Sequence, residues 1–576
     1  MNGGEIIAQV LKNHDVKYMF TLCGGHISPI FVGANKLGIQ VIDTRHEANA
    51  VFAADAPARL TGKLGVAAVT AGPGVTNTIT AIKNAQMAQS PVLLLGGAAA
   101  TVLKGRGSLQ DIEQLSVMRS ITKWCTSVKK VKDFVPIIQE AIKTALDGTP
   151  GPVFVECPID LLYDEALVKS WYLASENKKM SISEQAIQWY LRRHVNSIFE
   201  GTKQISTAIS PMSINMPKHS HAHLNVVKNA IKKANKPILL VGSGALLNAQ
   251  HVSSLQEAIN TLQIPTYLSG MARGLLGKNN ALQQRHNRRT ILKQADLIIL
   301  AGVPCDFRLD YGRHLSSKAK TIFINATKSD LFKNKTPDIA VHSNPAIFLS
   351  ELSQMKIKNQ DYSAWLDILE KNDAGKEANI ALQAQEKVKY INPIALFKKL
   401  ESLLPENTTL VADGGDFVAT ASYILKPRHP HSWLDPGVFG TLGVGGGFAL
   451  GAKLIQNNDE VWIIYGDGSS AFSIAEIDTM TRHKLPAIIL IGNDASWAQI
   501  ARDQVEILQD DVATVLSYSH YEKIGHAFGA NGKTVSTLEE FEIAVKEAQE
   551  SVKNGIPYVI NALLQKSDFR KGSISM

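Results

Sequence analysis

Residues 461–472 read VWIIYGDGSSAF and residues 485–494 read LPAIILIGND. Each holds an apolar, β-branched run of strand length that ends in a turn. The first strand ends at Tyr465, where Gly466-Asp467-Gly468 reverses the chain; the second ends at Asn493-Asp494. An amphipathic helical pattern lies between them. Strand, helix and strand in that order form a parallel crossover. The crossover puts Asp467 and Asn493/Asp494 at one sheet edge, beyond the carboxyl ends of the strands, where open α/β sheets bind ligands. Carboxylate and amide oxygens held close together suit Mg²⁺, which prefers oxygen and completes its shell with phosphate. Asp467, Asn493 and Asp494 are therefore the candidate metal ligands, with either Asn493 or Asp494 as the second. Gly468 leaves room for a diphosphate, and Ser469 can donate to it. An Asp-Gly pair alone is first of all a turn; the Asn arriving after one helix and one strand is what gives this one weight.

The same alternation runs outward along the chain. Val66–Thr70 is followed by AGPG and an apolar helix, Val92–Leu95 by GGAAA, and Val153–Val155 closes the series. A second series opens at Pro237–Val241 and continues through Ile264–Tyr267, Leu297–Ala301 and Thr321–Asn325. The third spans Thr409–Asp413, Val461–Tyr465, Ile488–Gly492 and Tyr558–Leu563. With 576 residues the chain is too long for one core, and the pattern predicts an α/β protein of three doubly wound parallel-sheet domains. Their expected bounds are 1–167, 219–354 and 389–576. A polar, Lys/Gln-rich linker helix is expected at 355–388. The linker at 168–218 contains IQWYLRRHVNSIF, which reads either as a helix on a membrane surface or as one packed against the domains.

Composition narrows the function. The formal net charge of +8 is spread along the chain and favours anionic ligands such as a phosphorylated cofactor or a CoA ester. No nucleic-acid-binding motif is present. Cys23, Cys125, Cys157 and Cys305 stand far apart without a CxxC pair, which excludes a zinc ribbon or a dithiol motif and suits a reducing compartment. Each is expected to be a buried structural residue. No segment reaches the roughly 18–20 apolar residues that span a bilayer, and MNGGEIIAQVLKNHD does not read as a signal peptide.

The GDG turn with its distant Asn resembles the thiamine-diphosphate motif, and this resemblance makes a demand on the first domain. Such a cofactor needs a carboxylate against its pyrimidine ring. The stretch VIDTRHEANAVFAADAPARLTG offers a strand at Val41–Asp43 and Glu47 at the start of a helix. Read alone, Glu47 is an acid stabilised by the helix dipole. AGPGVTN (71–77) puts Gly72-Pro73-Gly74 after a strand, where backbone could approach the ring. GTLGVGGGFALGAK (440–453) is a glycine-rich helix entry, with Gly440 against the cofactor and Leu442 as the bulky residue that would hold it bent. As bare pattern, both stretches also fit close helix–sheet packing.

Over nearly its whole length the chain resembles the acetolactate synthase, oxalyl-CoA decarboxylase and 2-hydroxyacyl-CoA lyase superfamily. Within it, it is most similar to the animal acetolactate synthase-like branch, the 2-hydroxyacyl-CoA lyases of the endoplasmic reticulum. The segments that carry the resemblance are GGHISP (24–29), DTRHEANAVFAADA (43–56), VTAGPG (69–74), NAQMAQSPVLLLGGAA (84–99), MARGLLG (271–277), CDFRLDYGR (305–313), DGGDFV (413–418), WLDPGVFGTLGVG (433–445) and SDFRKGSIS (567–575). The resemblance implies pyrimidine-binding, central and diphosphate-binding domains, with thiamine diphosphate and Mg²⁺ as cofactors. It implies Glu47 as the acid that activates the cofactor, and a homodimer or homotetramer with shared active sites. The loop bearing Gln110, Asp111, Glu113 and Gln114 would reach the neighbouring subunit's site. The implied reaction, in fatty acid α-oxidation, cleaves a 2-hydroxyacyl-CoA to formyl-CoA and a shortened fatty aldehyde, with acetolactate synthase-type condensation of 2-keto acids as the alternative. Arg273 and Arg308 are implied phosphate partners, or else members of ordinary ion pairs. Two departures stand out. Relatives carry Asn-Asn where this chain has Asn493-Asp494. Animal relatives also carry a hydrophobic anchor ahead of the first domain, and none is read here. The chain thus reads as a soluble form, as an incomplete sequence, or as a protein that holds the endoplasmic-reticulum membrane through the Trp189 region, and the expected location is the cytoplasmic side.

Overall fold

The computed structural model describes residues 1–174, 180–357 and 361–571. Parts of the two expected linkers (175–179 and 358–360) and the end of SDFRKGSIS lie outside the described residues.

Three six-stranded sheets form the framework. The first contains β1 (Tyr18–Thr21), β2 (Gln40–Asp43), β3 (Gly65–Val69), β4 (Val92–Ala98), β5 (Trp124–Ser127) and β6 (Val153–Pro158), in the spatial order β2-β1-β3-β4-β6-β5. The second contains β7 (Pro237–Val241), β8 (Thr266–Leu268), β9 (Gln283–Gln284), β10 (Leu297–Ala301), β11 (Lys320–Asn325) and β12 (Ile339–His342), in the order β12-β11-β10-β7-β8-β9. The third contains β13 (Thr408–Asp413), β14 (Trp433–Leu434), β15 (Glu460–Gly466), β16 (Ile488–Asn493), β17 (Asn531–Val535) and β18 (Tyr558–Leu563), in the order β14-β13-β15-β16-β18-β17. Every pairing among these strands is parallel.

The expected fold class is therefore observed, and its cause is visible in the strands. β3, β4, β6, β7, β10 and β13 are buried at every position, as strands covered by helices on both faces must be. In β7, Leu239 and Val241 join one apolar cluster, while Ile238 and Leu240 join another on the opposite face.

That second cluster takes in Trp365 and Leu369 of the helix Ser363–Gln383. Trp365 Nε1 donates to Pro237 O at 3.1 Å. The stretch expected as a linker helix thus forms part of the layer covering the middle sheet. The contacts divide the chain into two compact units. One comprises Met1–Arg59 and Lys63–Asn215, with the first sheet; the other comprises Leu60–Gly62 and Met216–Met576, with the second and third.

One expectation is corrected in detail, and one of two alternatives is observed. Cys157 and Cys305 are buried, but Cys23 is exposed and Cys125 partly so; Cys23 lies in the loop beyond β1, outside the sheet core. Arg308 binds Asp306 through Nε (3.0 Å) and Nη2 (2.7 Å), so it is held in an ion pair. Among the described residues no helix is long and apolar enough to cross a membrane.

Candidate active site

In the third sheet, β13 leads to β14 on one side while β15 leads to β16 on the other. The crevice between the carboxyl ends of β13 and β15 is thus a topological switch point. A cavity of about 250 Å³ opens there, and Gly440, Leu442, Gly466, Asp467, Gly468, Ser469 and Asp494 are among its lining residues. Asp467 is 2% exposed. Its Oδ1 accepts from Gly468 N at 2.8 Å and its Oδ2 from Ser496 N at 3.2 Å. A Cβ on Gly468 would lie 2.6 Å from the Trp497 ring, so only glycine fits against that indole.

Burial pushes the Asp467 carboxyl up to about 6. It pushes Asp494 up to about 7, helped by the charge of Asp467 and opposed by Lys566. Two desolvated carboxylates on one cavity form an oxygen donor set that fits a divalent cation, whose charge would offset the cost of ionising both. Asn493 is fully buried. Its Nδ2 donates to Ser519 O (3.1 Å) and Asn561 Oδ1 (3.2 Å), and its Oδ1 has no hydrogen-bond partner. Among the described residues Asp494, not Asn493, lines the cavity. The Ser469 hydroxyl donates to Asp413 O (2.6 Å) and Gly466 O (3.0 Å), so its hydrogen already serves the turn.

In the first unit, Glu47 opens the helix Glu47–Thr61 just after β2 and is 7% exposed. Its Oε2 accepts from Asn77 Nδ2 at 3.0 Å. Gly72 and Gly74 belong to the turn after β3, where Pro73 begins the short helix Pro73–Thr76. A Cβ on Gly74 would lie 3.7 Å from Glu47 Oε1. Gly72 adopts φ +60°, and a Cβ there would lie 2.6 Å from Gln110 O. The fold thus brings Glu47 and the Gly-Pro-Gly turn together, as the sequence implies.

Models of the thiamine pyrophosphate enzymes match three stretches of the chain. The N-terminal TPP binding domain matches residues 1–117, the central domain 224–352 and the C-terminal TPP binding domain 413–562. The chain belongs to this family. It is 47% identical over 582 residues to the Danio rerio protein named 2-hydroxyacyl-CoA lyase 2, covering 100% of this chain and 93% of that one. The Homo sapiens protein of the same name is 45% identical over 583 residues, covering 100% and 92%. An acetolactate synthase large subunit of Mycobacterium tuberculosis is 28% identical over 570 residues, covering 98% and 96%.

Several parts of this thiamine pyrophosphate enzyme escaped the sequence reading. Asp413 ends β13, fully buried, and accepts from Gly443 N (3.1 Å) and Gly445 N (2.8 Å). It thereby fixes the glycine-rich loop carrying Leu442, and burial pushes its carboxyl up to about 7. The DGGD stretch was a signal for it. Gln114, expected in a loop reaching a neighbour, turns inward at 1% exposure. It accepts from Gly72 N (2.9 Å) and donates to Gly97 O (3.0 Å) and to Glu156 Oε1 (2.9 Å).

A second cavity, of about 400 Å³, has Arg273, Arg285, Arg288, Arg289, His314 and Lys376 in its lining. Burial pulls Arg273, Arg285 and Arg288 below their ordinary values. Arg285 Nη2 donates to Tyr423 O and Leu425 O, while Nη1 is buried with no partner. Such a surplus of desolvated cations suits a polyanion.

Proposed function

We propose that this thiamine pyrophosphate enzyme is a Mg²⁺-dependent lyase that cleaves 2-hydroxyacyl-CoA into formyl-CoA and a fatty aldehyde one carbon shorter. The observation that carries the reading is the end-to-end likeness, at 45% and 47% identity, to two proteins named 2-hydroxyacyl-CoA lyase 2. The cationic cavity supports it, since the phosphates of a CoA ester are the polyanion its arginines would take. In the reaction the bond between C1 and C2 breaks. The hydroxyl proton leaves as C2 becomes the aldehyde carbon, and C1 ends with hydrogen in place of C2.

When bound, thiamine diphosphate supplies the electron sink for the pair released from that bond. The chain's own residues bind and orient. Gly466, Gly468 and the backbone of Ser469 would hold the diphosphate, with Leu442 and Gly440 beside it. Asp467 and Asp494 would hold Mg²⁺, with Asn493 behind them as the alternative amide ligand. Asn77 occupies Glu47 Oε2, which leaves Oε1 to hold a proton against the pyrimidine ring. Gly72, Pro73 and Gly74 keep side chains out of the space before that oxygen. The assembly in this reading is a homodimer or homotetramer, which light scattering would measure.

Condensation of 2-keto acids is the second reading, favoured by the likeness to the acetolactate synthase subunit. Purified protein with thiamine diphosphate, Mg²⁺ and 2-hydroxyoctadecanoyl-CoA should yield heptadecanal, detected by mass spectrometry. The aldehyde should disappear when metal or cofactor is withheld. Acetolactate from a parallel pyruvate reaction, without aldehyde, would replace the lyase reading with the second.

A further inference from the structure

Three adjacent strands of the first sheet, β3, β4 and β6, have their carboxyl ends tied together by one side chain. Gln114 opens the helix Gln114–Arg119 and is 1% exposed. Its Oε1 accepts from Gly72 N (2.9 Å), in the turn after β3. Its Nε2 donates to Gly97 O of β4 (3.0 Å) and to Glu156 Oε1 of β6 (2.9 Å). One donor and two acceptors thus surround the amide, which fixes the way it faces and uses both its hydrogens.

Glu156 is fully buried, and its other oxygen, Oε2, accepts from Lys104 Nζ. A buried carboxylate is costly without a cation beside it, and Lys104 supplies that cation. Lys104 lies near the start of the segment between β4 and the helix, and Gln114 lies at its end. A single carboxylate therefore latches both ends of that segment to β6. Beyond Gln114 the hydrogen bonds run on to Glu47. Gly72 O accepts from Thr76 N (3.0 Å), and Pro73 O accepts from Asn77 N (2.9 Å). The Asn77 side chain then donates to Glu47 Oε2 at 3.0 Å. Gly72, held at its N–H by Gln114, has a φ of +60°, which favours glycine.

We infer that Gln114 and Glu156 are positioning residues for the Glu47 carboxyl. They fix the Gly-Pro-Gly turn, the turn carries Asn77, and Asn77 decides which Glu47 oxygen is left to hold a proton. Their effect passes through these intermediaries. A carboxyl that shares a proton with a ring nitrogen works over a narrow range of distance and angle, and small displacements cost rate steeply. The inference rests on the reading of Glu47 as the acid facing the pyrimidine ring, and not on which substrate is cleaved.

The test follows exchange of the acidic thiazolium proton of bound thiamine diphosphate for deuterium, by quench and NMR, in the full chain with Mg²⁺ and no substrate. Melting temperature and bound cofactor are measured on the same samples. Glu47→Gln is the reference and should slow exchange. Gln114→Leu removes all three hydrogen bonds and should slow it about tenfold to a hundredfold in protein that still binds cofactor. Should that variant not fold, the equally long Gln114→Glu carries the test. It sets an oxygen against Gly97 O and the Glu156 carboxylate. Its exchange, relative to the unsubstituted enzyme, should be slow at high pH and recover as falling pH protonates the introduced carboxyl. Glu156→Leu should slow exchange as well. Glu156→Gln should largely preserve it, because an acceptor for Gln114 remains and Lys104, 32% exposed, can turn to water. A purely structural role would lower the melting temperature and leave exchange in the folded protein normal. Normal exchange in both Gln114 variants beside slow exchange in Glu47→Gln would overturn the inference alone, as would equal losses in Glu156→Gln and Glu156→Leu. Normal exchange in Glu47→Gln would overturn the reading of Glu47 and the inference with it.

Discussion

The first and third sheets have the same strand order. In each, the second strand of the series lies at one edge beside the first, the third pairs on the other side, and the last two are exchanged. In each, the third strand runs into a glycine-bearing turn and a four-residue helix, Pro73–Thr76 in one and Asp467–Ser470 in the other. The chemistry at that turn nevertheless differs. In the first sheet, proline sets the backbone for the helix start and the two glycines clear space in front of Glu47, which arrives from the edge strand. In the third sheet, aspartate takes the proline's place and faces the cavity itself, joined by Asp494 from the next strand. Topology fixes where a crevice opens, and the residue at one turn position decides whether it is shaped for a ring or for a metal and its phosphates. The middle sheet, with its first and fourth strands adjacent at the centre, has the order of dinucleotide-binding folds and lies in the same unit as the arginine-lined cavity.

The division of labour between the outer sheets can be broken at either end. Glu47→Gln should leave the fold and cofactor binding intact while lowering turnover by about 10²–10⁴-fold, the usual contribution of a positioned proton-transfer group. Turnover and cofactor-induced thermal shift, measured together, check it; full turnover would remove Glu47 from its role. At the other end, chelation should abolish activity and added Mg²⁺ restore it. Asp494→Ala should weaken Mg²⁺ affinity by about 10–100-fold. Asn493→Ala should instead cost about 1–3 kcal/mol of stability, because buried groups on Ser519 and Asn561 lose their donor. A metal titration and a denaturant melt on the two variants separate these effects, and the reverse pattern would make Asn493 the ligand.

Steric predictions sharpen the contrast between the two glycine-bearing segments beside the cofactor. A methyl group on Gly74 would lie 2.7 Å from Thr70 Cγ2, so Gly74→Ala should cost about 1–3 kcal/mol through overpacking and disturb Glu47 as well. Gly440 has nothing within 4 Å of its missing Cβ and a φ of +65°. Gly440→Ala should therefore cost only the left-handed strain of about 1–2 kcal/mol. Chemical denaturation would rank the pair.

A further prediction concerns pH. Asp413 is pushed from 3.8 up to about 7, so between these values the folded chain holds a proton that the unfolded chain has released. The stability this proton contributes is full below about pH 4 and is lost as pH rises towards 7. Asp413→Asn should flatten that decline in a series of melts across the range. An undiminished slope would show that Asp413 does not cause it.

Much of this was legible in the residues because it depends on local order. Strand and turn patterns locate the three parallel sheets, and the spacing from Asp467 to Asn493-Asp494 places a ligand edge. Glu47 could be singled out only because a cofactor motif elsewhere demanded an acid. The unread parts depend on which way a side chain turns. Asp413 and Gln114 act through backbone N–H groups far along the chain, and no local pattern records such a partner. The arginine cavity gathers residues from 267 to 427, a collection only packing can make.

The sequence by itself thus determined the class of fold, the position of the crevices and the residue types offered to them, since apolar periodicity and turn chemistry act over a few neighbours. Tertiary structure alone decided the rest. Asp494 rather than Asn493 faces the cavity, Arg308 is taken up by Asp306, Gln114 turns inward, and the helix after residue 182 shows an apolar face to the outside. Each of these outcomes depends on contacts that do not exist until the chain has packed, where burial and the available partners decide which of two adjacent groups points inward.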